Sequence, residues 1–67
     1  MFIVYILYST MLDGYYIGST TDLDGRLRRH LTAHSGYTSR AKDWTVVYTE
    51  KYDTKELALL RERTLKK

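Results

Sequence analysis

Side chains that could hold an anion or move a proton gather within residues 13–30, DGYYIGSTTDLDGRLRRH. Two adjacent tyrosines precede a glycine there, and a polar loop then leads to three arginines and His30. A guanidinium can hold two phosphate oxygens at once, and an imidazole can take or give a proton near neutral pH. The run therefore suits phosphate chemistry, although a surface hairpin followed by a solvated helix would also explain it.

Arg26 and His30 are four residues apart, which places both side chains on one face of a predicted helix. This helix begins at one of the N-cap candidates in residues 20–22 and runs to about His34, with leucines at every fourth position as its buried stripe. The Arg26 and His30 side chains flank that stripe and can face a cleft beside a sheet. Gly25 lies inside the helix, so either the helix tolerates it or another group packs closely there.

Glu62 is the only acid in the last ten residues, and it lies in a predicted C-terminal helix with apolar neighbours three and four positions away. A carboxylate in such surroundings needs a partner. One interpretation is an ion pair with Arg61, Arg63 or Lys66. The other is a hard cation such as Mg²⁺, which is often held by one or two carboxylates together with water and substrate phosphate.

The first strands must position two of these side chains. Residues 2–8, FIVYILY, are β-branched and aromatic, which predicts a central strand covered on both faces. The Asp-Gly pair at 13–14 signals a turn in which glycine takes a positive φ, and residues 15–18 then return as an antiparallel strand. Tyr5 and Tyr16 can lie on one face of this hairpin, although either tyrosine alone is more typical of core packing.

The second half of the chain completes a β-β-α-β-α order. Residues 35–43 are predicted to form a polar loop, either without regular structure or with one helical turn. Residues 44–52 alternate large and polar side chains, which predicts a third strand. The large side chains expected on its core-facing side are Trp44, Val46 and Tyr48. Asp53 followed by Glu56 resembles a capping box that opens the last helix.

Composition excludes several classes of protein. A chain of 67 residues is expected to form one small domain that buries only about 60% of its unfolded surface. Because the chain has no cysteine, disulfides and thiolate zinc sites are excluded and a reducing cytoplasm is expected. The longest early apolar run, FIVYIL, is too short to cross a bilayer and lacks the flanks of a signal peptide, so no membrane partner is expected.

Positive charge is distributed unevenly along the chain. The formal net charge is +3, yet the stretch from Arg26 to Lys42 holds five Lys/Arg and no acid. Clustered cations on a small basic domain are typical of nucleic-acid binding, with solvated helix faces as the alternative. Arg28 and Arg29 are expected to point away from the cleft. They are then either solvated or attract DNA.

Together these residues resemble the GIY-YIG nuclease family over essentially the whole chain. Residues 4–6 (VYI), which include Tyr5, stand in the place of the family's first Gly-Ile-Tyr triplet in a degenerate form. Residues 16–18 (YIG) are the second triplet in full. Arg26 and His30 follow at the family's spacing.

Two further stretches extend the resemblance. Glu62 lies in a segment of the family's Arg-Glu-x-x-x-Lys type at residues 61–66, and residues 37–40 (YTSR) resemble its basic loop before the third strand. The likeness is to the small stand-alone bacterial members, which usually continue past Lys67. We therefore expect a single domain over residues 1–67 that is trimmed at its C-terminus.

The resemblance implies an α+β domain, with a small three-stranded antiparallel sheet flanked by helices, that cuts a DNA phosphodiester bond. In this interpretation Glu62 holds a single Mg²⁺ or Mn²⁺ and Arg26 neutralises the phosphate. Tyr16 or Tyr5 orients or deprotonates the attacking water, and His30 assists proton transfer. The side chains expected to contact DNA are Arg28, Arg29, Thr38, Ser39, Arg40 and Lys42.

Two other functions compete with this one. A non-catalytic nucleic-acid-binding module would keep the fold and the basic face but bind without cutting. A purely structural interaction domain would fit the clustered charge poorly. Nicking of a plasmid in the presence of Mn²⁺ separates the nuclease from the binding module.

Overall fold

The computed structural model describes residues 1–66 and shows an α+β fold of three strands and two α-helices. The elements are β1 (Phe2–Ser9), β2 (Gly14–Thr20), α1 (Leu23–Thr32), a 3₁₀ turn (Tyr37–Arg40), β3 (Thr45–Tyr52) and α2 (Lys55–Leu65). The strands form one sheet in the order β2-β1-β3, with both pairs antiparallel. The predicted fold class is confirmed, and the loop before β3 does contain a helical turn.

The β1–β2 hairpin places two tyrosines side by side. Its register pairs Tyr5 with Gly18 and Leu7 with Tyr16, so the two phenols lie diagonally on one face of the sheet. The positive φ of the turn, 49°, belongs to Asp13, and the prediction that the following glycine carries it was wrong. Aspartate tolerates this conformation better than most residues.

The two faces of the sheet are covered by different helices. On one face, Tyr5 and Leu7 form a buried cluster with Ala41 and Trp44, and the leucine stripe of α1 packs against it. On the other face, Val4 is fully buried beneath α2, whose own buried residue is Ala58. The sheet is thus the middle layer between α1 and α2.

A β-bulge changes the faces of β3. Val46 pairs with Leu7 and Tyr48 pairs with Ile6, which leaves Val47 as the extra residue. Because a bulge inserts one residue into the alternation, side chains after it switch to the opposite face. Val46 packs on the core cluster, whereas Tyr48 is 43% exposed. The prediction that Tyr48 lies on the core-facing side was therefore wrong.

The cap of α1 explains its interior glycine. The Asp22 side chain accepts a hydrogen bond from the Gly25 amide at 3.2 Å, which identifies Asp22 as the N-cap. A Cβ placed on Gly25 would approach the Asp22 Cγ to 3.0 Å. Gly25 therefore leaves room for the capping carboxylate. The helix ends at Thr32, two residues before the position that the sequence predicted.

The cap of α2 differs from the one predicted. Thr54 is the N-cap, and its hydroxyl accepts from the Leu57 amide at 3.3 Å. The prediction that a capping box opens at Asp53 is therefore wrong by one residue, because the Thr54 hydroxyl and not the Asp53 carboxylate accepts the hydrogen bond from the first turn of the helix. Neither α1 nor α2, the α-helices of residues 1–66, is long and apolar enough to cross a membrane.

Candidate active site

A buried chain of three polar side chains joins β1, α1 and the 3₁₀ turn. The hydroxyl oxygen of Tyr5 lies 2.9 Å from His30 Nε2, and His30 Nδ1 lies 3.1 Å from Thr38 Oγ1. The exposed fractions of Tyr5, His30 and Thr38 are 1%, 8% and 6%. Both imidazole nitrogens are therefore engaged inside the protein, and the sequence did not predict the direct contact between Tyr5 and His30.

Tyr16 completes an aromatic group around His30. The Tyr16 ring centroid lies 4.7 Å from that of His30 and 6.4 Å from that of Tyr5. Unlike Tyr5, Tyr16 is only half-buried, and within residues 1–66 its hydroxyl has no hydrogen-bond partner. The Tyr16 hydroxyl is therefore available to a molecule outside the domain.

Gly18 makes room for both tyrosine rings. A Cβ at this position would lie 2.6 Å from the Tyr5 hydroxyl oxygen and 3.2 Å from Tyr16 Cε2. Distances this short cannot coexist with the present ring positions. The glycine of the YIG triplet thus accommodates the Tyr5 ring across the hairpin.

We expect Gly18→Ala to displace the Tyr5 ring and to lower the free energy of unfolding by about 1–3 kcal/mol, the usual cost of overpacking. Chemical denaturation would measure the loss. In a double-mutant cycle with Tyr5→Leu, the double variant should lose less stability than the sum of the two single losses, because the smaller side chain at position 5 removes the clash. Strict additivity would contradict a direct contact between Gly18 and Tyr5.

Arg26 lies one helical turn before His30 and lines a surface cavity of about 230 Å³. The other residues lining this cavity are Thr20, Thr21, Asp22, Gly25 and Arg29. Arg29 is exposed, as expected, and its i+3 spacing brings it to the same surface cavity as Arg26. Arg28 is exposed, as expected.

Burial and nearby charges set the protonation states of Tyr5 and His30. Burial raises the pKa of Tyr5 to about 12; the neighbouring Tyr16 and Glu62 add to the rise, and the Arg26 guanidinium opposes it. Burial, together with the charge of Arg26, lowers the pKa of His30 below its ordinary value of 6.5. At neutral pH the Tyr5 phenol is therefore protonated and the His30 imidazole is neutral.

Glu62 approaches β2 from α2. Its Oε1 accepts from the Ser19 hydroxyl at 2.8 Å, and its Oε2 accepts from Lys66 Nζ at 2.7 Å. Burial acts to raise the pKa of Glu62, but the hydrogen bonds from Lys66 and Ser19 outweigh it and lower that pKa, so the carboxylate is ionised. Of the ion pairs open to Glu62, the structure forms the one with Lys66.

Arg61, the residue before Glu62, ties α2 to β3. Its guanidinium binds the Glu50 carboxylate through two hydrogen bonds of 2.8 and 3.2 Å. Hydrogen bonds from Arg61, Tyr48 and Tyr52 lower the pKa of Glu50 to about 2. This contact ties α2 to β3 one residue before Glu62, which contacts Ser19 of β2. The sequence reasoning missed both Glu50 and Ser19.

The residues around Glu62 fit a metal that is held mainly by water and substrate. Within residues 1–66 no group of three or more His, Asp or Glu side chains could hold a metal ion. A single carboxylate such as Glu62 can still contribute to a Mg²⁺ site, because this ion is often held by one or two carboxylates together with water and substrate. The Lys66 side chain that occupies Oε2 is 51% exposed, so the pair is an i,i+4 surface contact of the kind that contributes little to stability.

The residues predicted to contact DNA lie in different surroundings. Thr38 is buried and contacts His30, so its hydroxyl is not on the surface that was expected to bind DNA. The Ser39 hydroxyl donates to a backbone carbonyl within its own turn at 2.6 Å. Arg40 and Lys42 are exposed, with the Arg40 guanidinium 5.9 Å from the Tyr37 ring centroid.

The fold and this arrangement of side chains agree with the comparison against known families. The family model described as the GIY-YIG catalytic domain matches residues 1–67, the whole chain. The chain therefore belongs to the GIY-YIG family, a family of nucleases. No curated protein and no solved structure matches it.

Proposed function

We propose that this chain is an endonuclease that hydrolyses a DNA phosphodiester bond with the help of one Mg²⁺ or Mn²⁺ ion, in the cytoplasm. The observation that carries the proposal is the buried Tyr5–His30 contact beside Tyr16, with Arg26 one turn away, in a chain of a nuclease family. These are groups that can position a phosphate, orient water and move a proton.

Arg26 supplies the fixed positive charge that phosphoryl transfer requires. The reaction depends on positioning and on stabilisation of the charge that develops on the phosphate oxygens. The Arg26 guanidinium can hold two such oxygens, and it lines a cavity open to solvent. The charge of Arg26 also acts on the Tyr5 phenol, so a phosphate held by this guanidinium would lie on the side of α1 that faces Tyr5.

The two tyrosines have different roles in the proposed reaction. With a pKa of about 12, Tyr5 remains a hydrogen-bond donor at neutral pH and orients a ligand rather than taking its proton. Tyr16 has the more accessible hydroxyl, so it contacts the attacking water directly. His30 assists proton transfer through its contact with the Tyr5 hydroxyl.

Glu62 is the residue that would hold the divalent ion. When bound, such an ion polarises the phosphate and lowers the pKa of water. Glu62 itself is ionised and turned toward β2 by Ser19, so it is ready to bind a cation.

Nicking of supercoiled plasmid tests this function. With Mn²⁺ or Mg²⁺ added, we expect the protein to convert supercoiled DNA to the open circular form, and we expect EDTA to stop the conversion. DNA that is bound but never cut, at any metal concentration, would instead identify a non-catalytic binding module.

Phenylalanine at Tyr16 should keep stability close to that of the wild type and reduce nicking, because the ring supplies most of the buried area and only the chemistry of the hydroxyl is lost. Phenylalanine at Tyr5 should also reduce nicking, and it should lower the free energy of unfolding by roughly 1–3 kcal/mol because the buried His30 Nε2 loses its partner. We expect the larger loss of nicking at Tyr16, because its hydroxyl faces outward. Nicking rates and thermal melts of both variants would measure this.

Tyr8→Phe is the matched control, because Tyr8 lies on the opposite face of β1 and donates to Asp13 at 2.8 Å. Tyr8→Phe should nick normally. Suppose that Tyr5→Phe and Tyr16→Phe also nick normally but melt at much lower temperature. Their hydroxyls would then serve packing, and the proposed catalytic face would be wrong.

DNA affinity should fall steeply as salt rises. Phosphate contacts by Lys and Arg release counterions, and the slope of log K against log salt is about −0.9 per phosphate contacted. Fluorescence anisotropy with a labelled duplex would give this slope. Removing exposed Arg28 should make it shallower by about one contact. Binding that does not respond to salt would argue against a nucleic-acid partner.

A further inference from the structure

The two oxygens of the Glu62 carboxylate have partners of different kinds. Oε1 accepts from the neutral hydroxyl of Ser19 at 2.8 Å, and Oε2 accepts from the charged ammonium of Lys66 at 2.7 Å. Ser19 lies inside β2, where it pairs with Val4 of the central strand. Lys66 follows the last residue of α2 and has a side chain that is 51% exposed. One partner thus belongs to the sheet and the other to the surface.

The Glu62 carboxylate needs a positive charge beside it. Only 18% of its side chain is exposed, and a carboxylate largely removed from water is destabilised unless an opposite charge or several donors compensate it. Ser19 supplies one neutral donor, so the compensating charge comes from Lys66. A cation that takes the place of Lys66 can supply the same compensation.

Of the two partners, Lys66 is the one that can be exchanged. Its contact with Glu62 is an i,i+4 pair, and the half-exposed ammonium is hydrated when it leaves, so such pairs contribute little. The Ser19 hydroxyl is held by a strand that is hydrogen-bonded along its length to β1.

Charge favours the same exchange. A divalent ion on the Glu62 carboxylate and an ammonium on the same group would repel each other at close range, where little water screens them. The neutral Ser19 hydroxyl does not repel a cation. The arrival of an ion therefore expels Lys66 and leaves the hydrogen bond from Ser19 in place.

We propose that Glu62 binds its divalent ion in exchange for Lys66, which frees Oε2, while Ser19 stays on Oε1 as a positioning residue. Lys66 is then a counter-ion that compensates Glu62 before an ion binds and competes with that ion. The exchange rests on the proposed role of Glu62 in holding the metal.

The two partners should have opposite effects on Mn²⁺ affinity, although each contributes one hydrogen bond to the same carboxylate. Lys66→Met removes the competing charge and should tighten binding about two- to fivefold, the scale of an exposed ion pair. Ser19→Ala should weaken binding about tenfold, as the loss of a group that orients a ligand usually does. Ser19→Thr keeps a hydroxyl and should restore most of the affinity. Broadening of the Glu62 amide signal across a Mn²⁺ series measures all four proteins.

Arg63→Met is the matched control for charge. Arg63 is exposed on the same helix, and its loss changes the net charge as Lys66→Met does. It should alter the affinity less than Lys66→Met. An equal gain in Arg63→Met, or no gain in Lys66→Met, would overturn the competition. Unchanged affinity in Ser19→Ala would overturn the positioning role of Ser19.

A Mg²⁺ titration of the wild type follows the exchange itself. The side-chain Cε–Hε signals of Lys66 should shift with the same midpoint as the Glu62 amide, whereas those of exposed Lys55 should not. If the Glu62 amide responds and Lys66 does not, the exchange is overturned and the metal site stands. If Glu62 responds to neither Mg²⁺ nor Mn²⁺, the proposed metal role fails and the exchange fails with it. If Ser19→Ala does not fold, the Lys66 signals and Lys66→Met still decide the exchange.

Discussion

Glu62→Gln is expected to abolish metal-dependent nicking while leaving the fold intact. The amide keeps the shape of the side chain and can still accept from Ser19, but it loses the charge that holds a hard cation. The lost contact with Lys66 is a partly exposed i,i+4 pair, so stability should change by less than about 1 kcal/mol. Nicking across a Mn²⁺ series, with a thermal melt beside it, measures both effects.

Glu56→Gln is the matched control on the same helix. Glu56 is exposed in the first turn of α2 and makes the same charge change away from Ser19. It should nick like the wild type. Wild-type nicking by Glu62→Gln would remove Glu62 from any metal site, whereas an equal loss in Glu56→Gln would attribute the effect to net charge.

Arg26→Ala should slow nicking by at least about 100-fold, the scale of losing one preorganised charge stabiliser worth roughly 2.7–4 kcal/mol. The substitution also removes the positive charge that lowers the pKa of His30 and opposes the rise in the pKa of Tyr5. The pKa of both groups should therefore rise. Single-turnover rates at saturating DNA separate this loss from weaker binding.

The structure decides which arginine serves as the control for Arg26. Arg29 shares the cavity with Arg26, so its loss can affect the same phosphate. Arg28 is exposed and outside the residues that line this cavity, and Arg28→Ala should weaken binding without slowing the bound complex. An equal fall in the single-turnover rate for Arg28→Ala would mean that α1 only attracts DNA.

Local sequence patterns were sufficient to predict most of the site's framework. Two-residue alternation placed Tyr5 and Tyr16 on one face of the hairpin, and four-residue spacing placed Arg26 and His30 on one flank of α1. These relations depend on backbone geometry alone. The family's triplets and the Arg-Glu-x-x-x-Lys segment that contains Glu62 are the basis on which we propose a common chemistry for these residues.

Other features depend on contacts between distant segments, and the sequence did not reveal them. The bulge at Val47 arises from how β3 fits against β1, so simple alternation placed Tyr48 on the wrong face. Thr38 reads as a polar loop residue, yet the packing of the 3₁₀ turn buries it against His30. Ser19 stands directly after the YIG triplet, but only the rotation of α2 brings Glu62 to it.

Line broadening by Mn²⁺ tests most directly whether Glu62 holds a divalent ion beside the tyrosines. In the protein labelled with ¹⁵N and ¹³C, the amide signals of Ser19 and Glu62 and the ring C–H signals of Tyr5 should fade before the amide signals of Asp13 and Asp43. These two aspartates are tied to the opposite end of the hairpin, through Tyr8 and Ser9 respectively, and serve as competing carboxylates. The selective fading should vanish in Glu62→Gln. Equal fading at the aspartates, or selective fading that persists in the variant, would contradict a metal site at Glu62.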